Sequence, residues 1–369
     1  MNQDGPAARP EPSSVIAPAA FAPGMDPRLL VVTDDPINAE LPLSEQRGVI
    51  TPNQLFYLRN RFHFPQLDPA TWRLAVGREN ESVLELTYDD LLSMPSRTLL
   101  ATMECAGNGR SGIQPPAEGE PWQWGAVSTA EWTGVPLAGV LRAAGIEGGA
   151  REVVAEGADG GQVKERPGRT PFVRSLPLDK ALHPDTLLAY AMNGAALPVE
   201  HGFPLRLVVP GWYGMASVKW LIRLMATTTA FRGYFQVDRY VMPPPEGESE
   251  PRPLTEVGVR SLILRPGPGE ALSPGLHRLQ GVAWSGPGSV ELVEISVDGG
   301  VSWRPAVWTS QEHRYAWRRW EYLWEATPGP SALMSRARDT TGAIQPLESE
   351  WNRLGYANNA IRPVDVMVE

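Results

Sequence analysis

Apolar and polar positions change rhythm along the chain, and the change divides it. From about residue 50 to residue 240, short apolar runs alternate with helical spacings. Tyr88-Asp89-Asp90-Leu91-Leu92 and Val135-Pro136-Leu137-Ala138-Gly139-Val140-Leu141 each read as a helix start. Leu205-Arg206-Leu207-Val208-Val209 reads as a buried strand ended by Pro210-Gly211. This mixture predicts an α+β unit over residues 26–245, with 26–48 as an ordered but irregular lead-in. Residues 242–251, Met-Pro-Pro-Pro-Glu-Gly-Glu-Ser-Glu-Pro, have linker composition. Beyond them the period drops to two. Leu292-Val293-Glu294-Ile295-Ser296-Val297 alternates, Asp298-Gly299-Gly300 supplies a positive-φ hairpin turn, and Val301-Ser302-Trp303 starts the return. Residues 246–369 therefore read as an all-β sandwich. Residues 1–25, rich in Ala and Pro, read as a disordered tail. No internal repeat is visible.

Composition narrows the picture. The chain has 37 prolines and 36 glycines, which favour many short strands and turns over long helices. Thirteen tryptophans each need burial with a partner for the indole N–H, which predicts aromatic-walled cavities or a large interface. A formal net charge of −9 excludes a nucleic-acid binder, which needs a basic stripe, and opposes an anionic membrane surface. No apolar run approaches the roughly 20 residues of a transmembrane span. The first 25 residues carry no charged n-region, no continuous apolar h-region and no twin-arginine pair. The chain as written is expected in the cytoplasm, or in the periplasm if an upstream signal has been removed.

Candidate chemistry centres on Cys105, the single cysteine, in Thr102-Met103-Glu104-Cys105-Ala106-Gly107-Asn108-Gly109-Arg110. It cannot form an intrachain disulfide or join a cysteine-only metal cluster. Core filler, nucleophile, and single ligand to a metal held by something else remain open, and a lone cysteine is most often a small buried hydrophobe. The glycines after it allow close backbone approach, and Arg110 offers a fixed cation for a small anion.

Cys105-Ala106-Gly107-Asn108-Gly109-Arg110 resembles the cysteine motif of the sulfite oxidase family of molybdopterin enzymes. The resemblance continues in order through Trp122-Gln123-Trp124-Gly125, Glu131-Trp132-Thr133-Gly134-Val135, Leu188-Ala189-Tyr190-Ala191-Met192-Asn193-Gly194 and His201-Gly202-Phe203-Pro204-Leu205-Arg206. Ser217-Val218-Lys219-Trp220-Leu221, Gly281-Val282-Ala283-Trp284-Ser285-Gly286, Ser296-Val297-Asp298-Gly299-Gly300 and Trp351-Asn352 follow. Any single block is weakly specific; their order from about residue 50 to the C-terminus is highly specific.

The resemblance implies a molybdenum–molybdopterin cofactor, with Cys105 as thiolate ligand to the metal. It implies oxidation of sulfite to sulfate by oxygen-atom transfer at an oxo-molybdenum centre. Soft sulfur suits a metal that cycles between oxidation states, and the cofactor carries the redox chemistry. Arg59 and Arg110 match substrate-binding arginines, Trp122 a pocket wall, and Tyr240 a pocket tyrosine. Each arginine–anion pair at 4 Å is worth about 4 kcal/mol before desolvation, at an effective dielectric near 20. Asn60, Asp159, Ser175, His201, Arg206, Ser217 and Lys219 match or suit cofactor contacts. The C-terminal sandwich is implied to be an immunoglobulin-like dimerisation domain of a homodimer.

The sequence departs from the family pattern at three places. Arg61 stands where histidine is usual, with His63 two residues on. The arginine pair after Asn108 is reduced to Gly109-Arg110. Leu354 occupies an arginine position of animal-like pockets, with Arg353 beside it. These changes predict an anion pocket less cationic than the animal one. The chain shows no haem-binding motif and no room for a flavin module, so electrons are expected to leave to dioxygen or to a separate carrier such as a cytochrome. Two other readings are a family member acting on another oxyanion or S-oxide, and a non-catalytic interaction module built on the sandwich.

Overall fold

The computed structural model describes residues 26–79, 81–244 and 246–369. The tail expected over residues 1–25 lies outside the described residues. Both predicted helix starts are present. Tyr88–Ser93 opens with a capping box in which Thr87 and Asp90 satisfy each other's backbone N–H. Leu137–Ala143 begins behind Pro136 and, at seven residues, is the longest α-helix among the described residues. The expected α+β unit is thus corrected to a mainly β unit with helices as short connectors. Pro95 and Gly145 stop these two helices before they can lengthen.

Two sheets build this unit. In the first, Arg97–Glu104 pairs with Val127–Pro136, which pairs with Leu187–Met192, which pairs in turn with Arg206–Val208, all antiparallel. Every residue of Leu187–Met192 is buried, which accounts for its unbroken apolar sequence. The second sheet runs in the order Glu81–Leu86, Leu74–Arg78, Leu221–Thr227, Glu152–Val163, Arg166–Pro177. One apolar cluster joins the two, with Trp132, Leu188 and Leu207 from the first and Leu74, Val153 and Leu224 from the second. The lead-in is more regular than its sequence indicates: Leu30–Asp34 and Ile37–Glu40 form an antiparallel hairpin.

The linker ends are tied by a short pairing of Val241–Met242 with Arg252–Pro253. Beyond it a four-stranded sheet (Arg260–Arg265, Gly275–Trp284, Arg318–Ala326, Val307–Trp308) and a five-stranded sheet share one core. Ile263, Leu279, Trp320 and Trp324 meet Val293, Leu333, Ala337 and Val366 there. The Val290–Ser296 strand and the positive φ of Gly299 and Gly300 match the predicted hairpin. The return strand starts later, at Arg304, because Asp298 accepts hydrogen bonds from the N–H groups of Val301 and Ser302 and holds them in the turn.

A further apolar cluster spans both halves, with Phe62, Val127 and Tyr240 on one side and Leu262, Trp284 and Tyr356 on the other. The candidate site lies beside this seam. Among the described residues no helix is long and apolar enough to cross a membrane.

Candidate active site

Cys105 follows directly on the Arg97–Glu104 strand, where its N–H donates to the Ala126 carbonyl at 2.9 Å. Asn108 N–H then donates to the Cys105 carbonyl at 2.9 Å and turns the chain. A Cβ on Gly107 would lie 2.5 Å from the Arg110 guanidinium, so only glycine lets Arg110 fold back over this turn. Cys105 is free, buried, and lines a cleft of about 690 Å³ including its mouth. Burial pushes the thiol pKa up, while Arg59, the Gly107 N–H and Arg110 pull it back.

Eight of the predicted residues meet in this cleft: Arg59, Cys105, Asp159, His201, Arg206, Ser217, Lys219 and Tyr240. Arg206 is buried over the Trp132 ring at 4.8 Å and donates to the carbonyls of His201 (3.0 Å) and Ser217 (3.1 Å). Burial lowers its pKa to about 10. Lys219 Nζ donates to the carbonyls of Arg59 (3.1 Å) and Glu200 (2.9 Å) and to Asn60 Oδ1, above the Trp220 ring at 4.3 Å. Burial, then Arg206, push its pKa down, against the pull of Asp159. Burial and the charges of Lys219 and Arg206 hold His201 at about 3, so the imidazole is neutral. Its Nε2 faces the Asn53 carbonyl at 3.2 Å and must donate there, which leaves Nδ1 as an acceptor. Asp159 is 5% exposed, and its Oδ1 has no partner among the described residues. Burial raises its carboxyl to about 7.

A smaller chamber adjoins the cleft and shares Arg59, Arg61 and Tyr240 with it. Arg110, Glu118, Glu120, Arg239, Leu354 and Tyr356 are among its other lining residues. Arg110 is fixed by donation to the carbonyls of Leu354 (2.8 Å) and Glu120 (2.6 Å). Tyr240 stacks on Tyr356 with ring centroids 5.3 Å apart, and its φ of 53° places it in the left-handed region that side chains rarely adopt. The Glu120 carboxylate lies 3.1 Å from Arg59, 3.8 Å from Arg110 and 3.9 Å from Arg61. Burial opposes its charge, but Arg59, its own backbone N–H, Arg110 and Arg61 outweigh burial and lower its pKa.

Three predicted residues do not line either space. Asn60 sits beneath the cleft, where it holds Lys219 and donates from Nδ2 to the Ile37 carbonyl. Trp122, expected as a pocket wall, is wholly buried in the main core. Ser175 is buried on the Arg166–Pro177 strand, its hydroxyl without a partner among the described residues. Of the departures, Arg61 faces both spaces and Leu354 lines the chamber. Arg353 points out to an exposed pair with Glu118 at 2.8 Å, and His63 to an exposed pair with Asp35.

Sequence reasoning missed several contributors. Asn38, on the lead-in hairpin, accepts from Arg59 at 3.2 Å and from the Asn60 N–H at 2.6 Å. Tyr57 lines the cleft. Behind Cys105, Glu104 is buried and paired with Arg260 of the C-terminal part, and also accepts from Asn108 (2.9 Å) and Trp284 Nε1 (2.8 Å). Glu104 stands directly beside Cys105 in its motif and Tyr57 two residues before Arg59, whereas Asn38 and Arg260 carry no such signal.

The donor set fits a molybdopterin. A buried thiol opens onto a cleft of small-molecule size, faced by two buried cations, a neutral histidine acceptor and a carboxylate oxygen lacking a donor among the described residues. Among the described residues no group of three or more His, Cys, Asp or Glu is placed to hold a metal ion. A metal beside Cys105 would take its other donors from a second molecule.

Comparison with known proteins agrees. Residues 61–235 match an oxidoreductase molybdopterin binding domain and residues 252–369 a Mo-co oxidoreductase dimerisation domain. The chain is 37% identical to mitochondrial sulfite oxidase of Homo sapiens, over 95% of this chain and 68% of that protein. It is 34% identical to sulfite oxidase of Arabidopsis thaliana, over 92% of this chain and 93% of that protein. Its fold is similar to the sulfane dehydrogenase SoxCD of Paracoccus pantotrophus, with a TM-score of 0.79 and 29% identity over 100% of this chain and 96% of that one.

Proposed function

The chain belongs to the sulfite oxidase family of molybdopterin oxidoreductases, and from that premise we propose that it oxidises sulfite to sulfate. Sulfite gains an oxygen atom derived from water and releases two protons and two electrons. The electrons pass to dioxygen or to a separate carrier such as a cytochrome. A bound molybdopterin supplies the two-electron redox chemistry and the oxygen-atom transfer. Cys105 Sγ is the metal's protein ligand, and Asp159, His201, Ser217, Arg206 and Lys219 hold and neutralise the pterin and its phosphate. Arg59 and Arg110 orient the oxyanion, and the Tyr240 hydroxyl donates to one of its oxygens. The surrounding aromatic rings exclude water, which strengthens each of these charge–charge contacts. The matched dimerisation domain supports a homodimer, and its two sheets over one core are of the form an immunoglobulin-like sandwich takes.

One observation carries the proposal: the buried Cys105 thiol shares the cleft with Arg59, and Arg59 also lines the adjoining chamber together with Arg110, five residues beyond Cys105. A Cys105→Ser variant is expected to retain pterin and to lose turnover by several orders of magnitude. Pterin content and steady-state sulfite oxidation measure both, and undiminished oxidation by this variant contradicts the ligand assignment.

A second reading, another sulfur oxyanion or an S-oxide as substrate, is favoured by Glu120 among the arginines and by Leu354 in the chamber wall. Likeness to a sulfane dehydrogenase supports, more broadly, a sulfur substrate other than sulfite. Family membership sets aside the non-catalytic reading.

A further inference from the structure

The chamber that would receive the oxyanion already holds an anion. Glu120 places one carboxylate within 4 Å of three guanidiniums, those of Arg59, Arg61 and Arg110. Its backbone is fixed, because the Glu120 carbonyl accepts from Arg110 at 2.6 Å and from the Trp122 N–H at 2.8 Å. The preceding Gly119, at φ +116°, presses this loop against Arg110, where an added Cβ would meet the guanidinium carbon at 3.0 Å. The side chain keeps 21% of its surface exposed, and its carboxylate is held by guanidiniums and by its own backbone N–H. The carboxylate therefore sits where a bound oxyanion would seek its donors, on a side chain that is partly exposed.

We propose that Glu120 is a specificity-determining residue: it serves as a resident counter-anion for Arg59, Arg61 and Arg110, so that an incoming sulfur oxyanion must share or displace it, and the advantage these guanidiniums give a doubly charged oxyanion over a singly charged one is reduced. Two charges are repelled by the carboxylate about twice as strongly as one and attracted by the three guanidiniums about twice as strongly, so Glu120 cuts back the dianion's advantage without reversing it. Like charges brought face to face in a binding site are costly, and this selects between otherwise similar ligands. The inference rests on assigning this chamber to the oxyanion, and it does not require that sulfite be the oxyanion turned over.

The test is anion binding to the holoenzyme, followed by calorimetry with sulfate as the dianion and nitrate as the monoanion. Glu120→Gln keeps the shape and removes the charge. Sulfate is expected to bind about tenfold more tightly, or better, and nitrate to gain less. Sulfate affinity that is unchanged or weaker in Glu120→Gln overturns the proposal, since a purely structural Glu120 would loosen Arg59 and weaken both anions. Glu120→Asp withdraws the carboxylate by one methylene and is expected to give an intermediate sulfate affinity. Should Glu120→Gln fail to fold, unchanged sulfate affinity in Glu120→Asp overturns the proposal equally. If sulfate tightens but neither protein is reduced by sulfite, the sulfite reading falls and this inference stands. If sulfite is turned over and sulfate affinity does not move, this inference alone falls.

Discussion

Two carboxylates on either side of Cys105 are almost equally buried and are treated in opposite ways. Glu104, 2% exposed, accepts from Arg260, Asn108 and Trp284. Asp159, 5% exposed, has an Oδ1 with no donor among the described residues and a pKa driven up by burial. Burying an ionised group without partners is expensive, and a fold tolerates it where something else completes the site. Glu104 is finished by the protein itself: its partners come from the cysteine loop and from the C-terminal sheets, so the pair fastens the two halves behind Cys105. Asp159 is left for a ligand to finish. The same contrast separates the cleft, with its depressed histidine and lysine, from the chamber, where arginines are already matched by Glu120.

The comparison is broken or sharpened first at Glu104. Glu104→Gln leaves Arg260 buried without its counter-charge and is expected to destabilise the protein by about 3–5 kcal/mol in thermal or denaturant unfolding. Adding Arg260→Met removes the stranded charge and should recover most of that loss. If the single variant is as stable as the parent, the junction is not held by this pair.

Arg59→Gln tests the chamber. Removing one partner of a half-buried, hydrogen-bonded charge pair to the oxyanion costs about 2–4 kcal/mol, so KM for sulfite should rise about 30-fold or more. The salt dependence of KM should become shallower, because one screened attraction has gone. An unchanged KM removes Arg59 from substrate binding.

The smallest effect is at Asp159, and it depends on pH. The folded apoprotein holds this proton with a pKa of about 7 against an ordinary 3.8. The resulting stabilisation is complete below the lower value and is lost as pH rises through the upper one. Asp159→Asn apoprotein should therefore unfold at higher temperature than the parent at pH 8, by about 2 kcal/mol once loss of the Lys219 interaction is allowed for, with the gap closing near pH 4. Cofactor retention should move the other way and weaken in the variant. A pH-independent gap means that Asp159 is not the buried acid described here.

Much of this arrangement is legible in the sequence, and what is not has a common cause. Cys105, Arg206 and Lys219 sit in compact motifs whose glycines and strand ends place them locally. The hairpin at Asp298-Gly299-Gly300 is equally local, and only its length was misjudged, because the Asp298 side chain extends the turn. Glu120, Asn38 and Arg260 have no local signature. Glu120 meets Arg59 across 61 positions, and Arg260 meets Glu104 across 156. Each looks like an ordinary charged or polar residue until the fold supplies its partner. Trp122 errs in the opposite direction: it lies close to the site in sequence, but its indole turns into the core. The helix starts were readable and the helix lengths were not, since prolines and glycines end each helix within seven residues.

The most direct test of the central claim is an anaerobic titration of protein of known molybdenum load with sulfite, following the thiolate-to-molybdenum absorption band. The account predicts bleaching that is complete at one sulfite per molybdenum in the parent and absent in Cys105→Ser. A loaded parent protein whose band is unchanged by excess sulfite would contradict it.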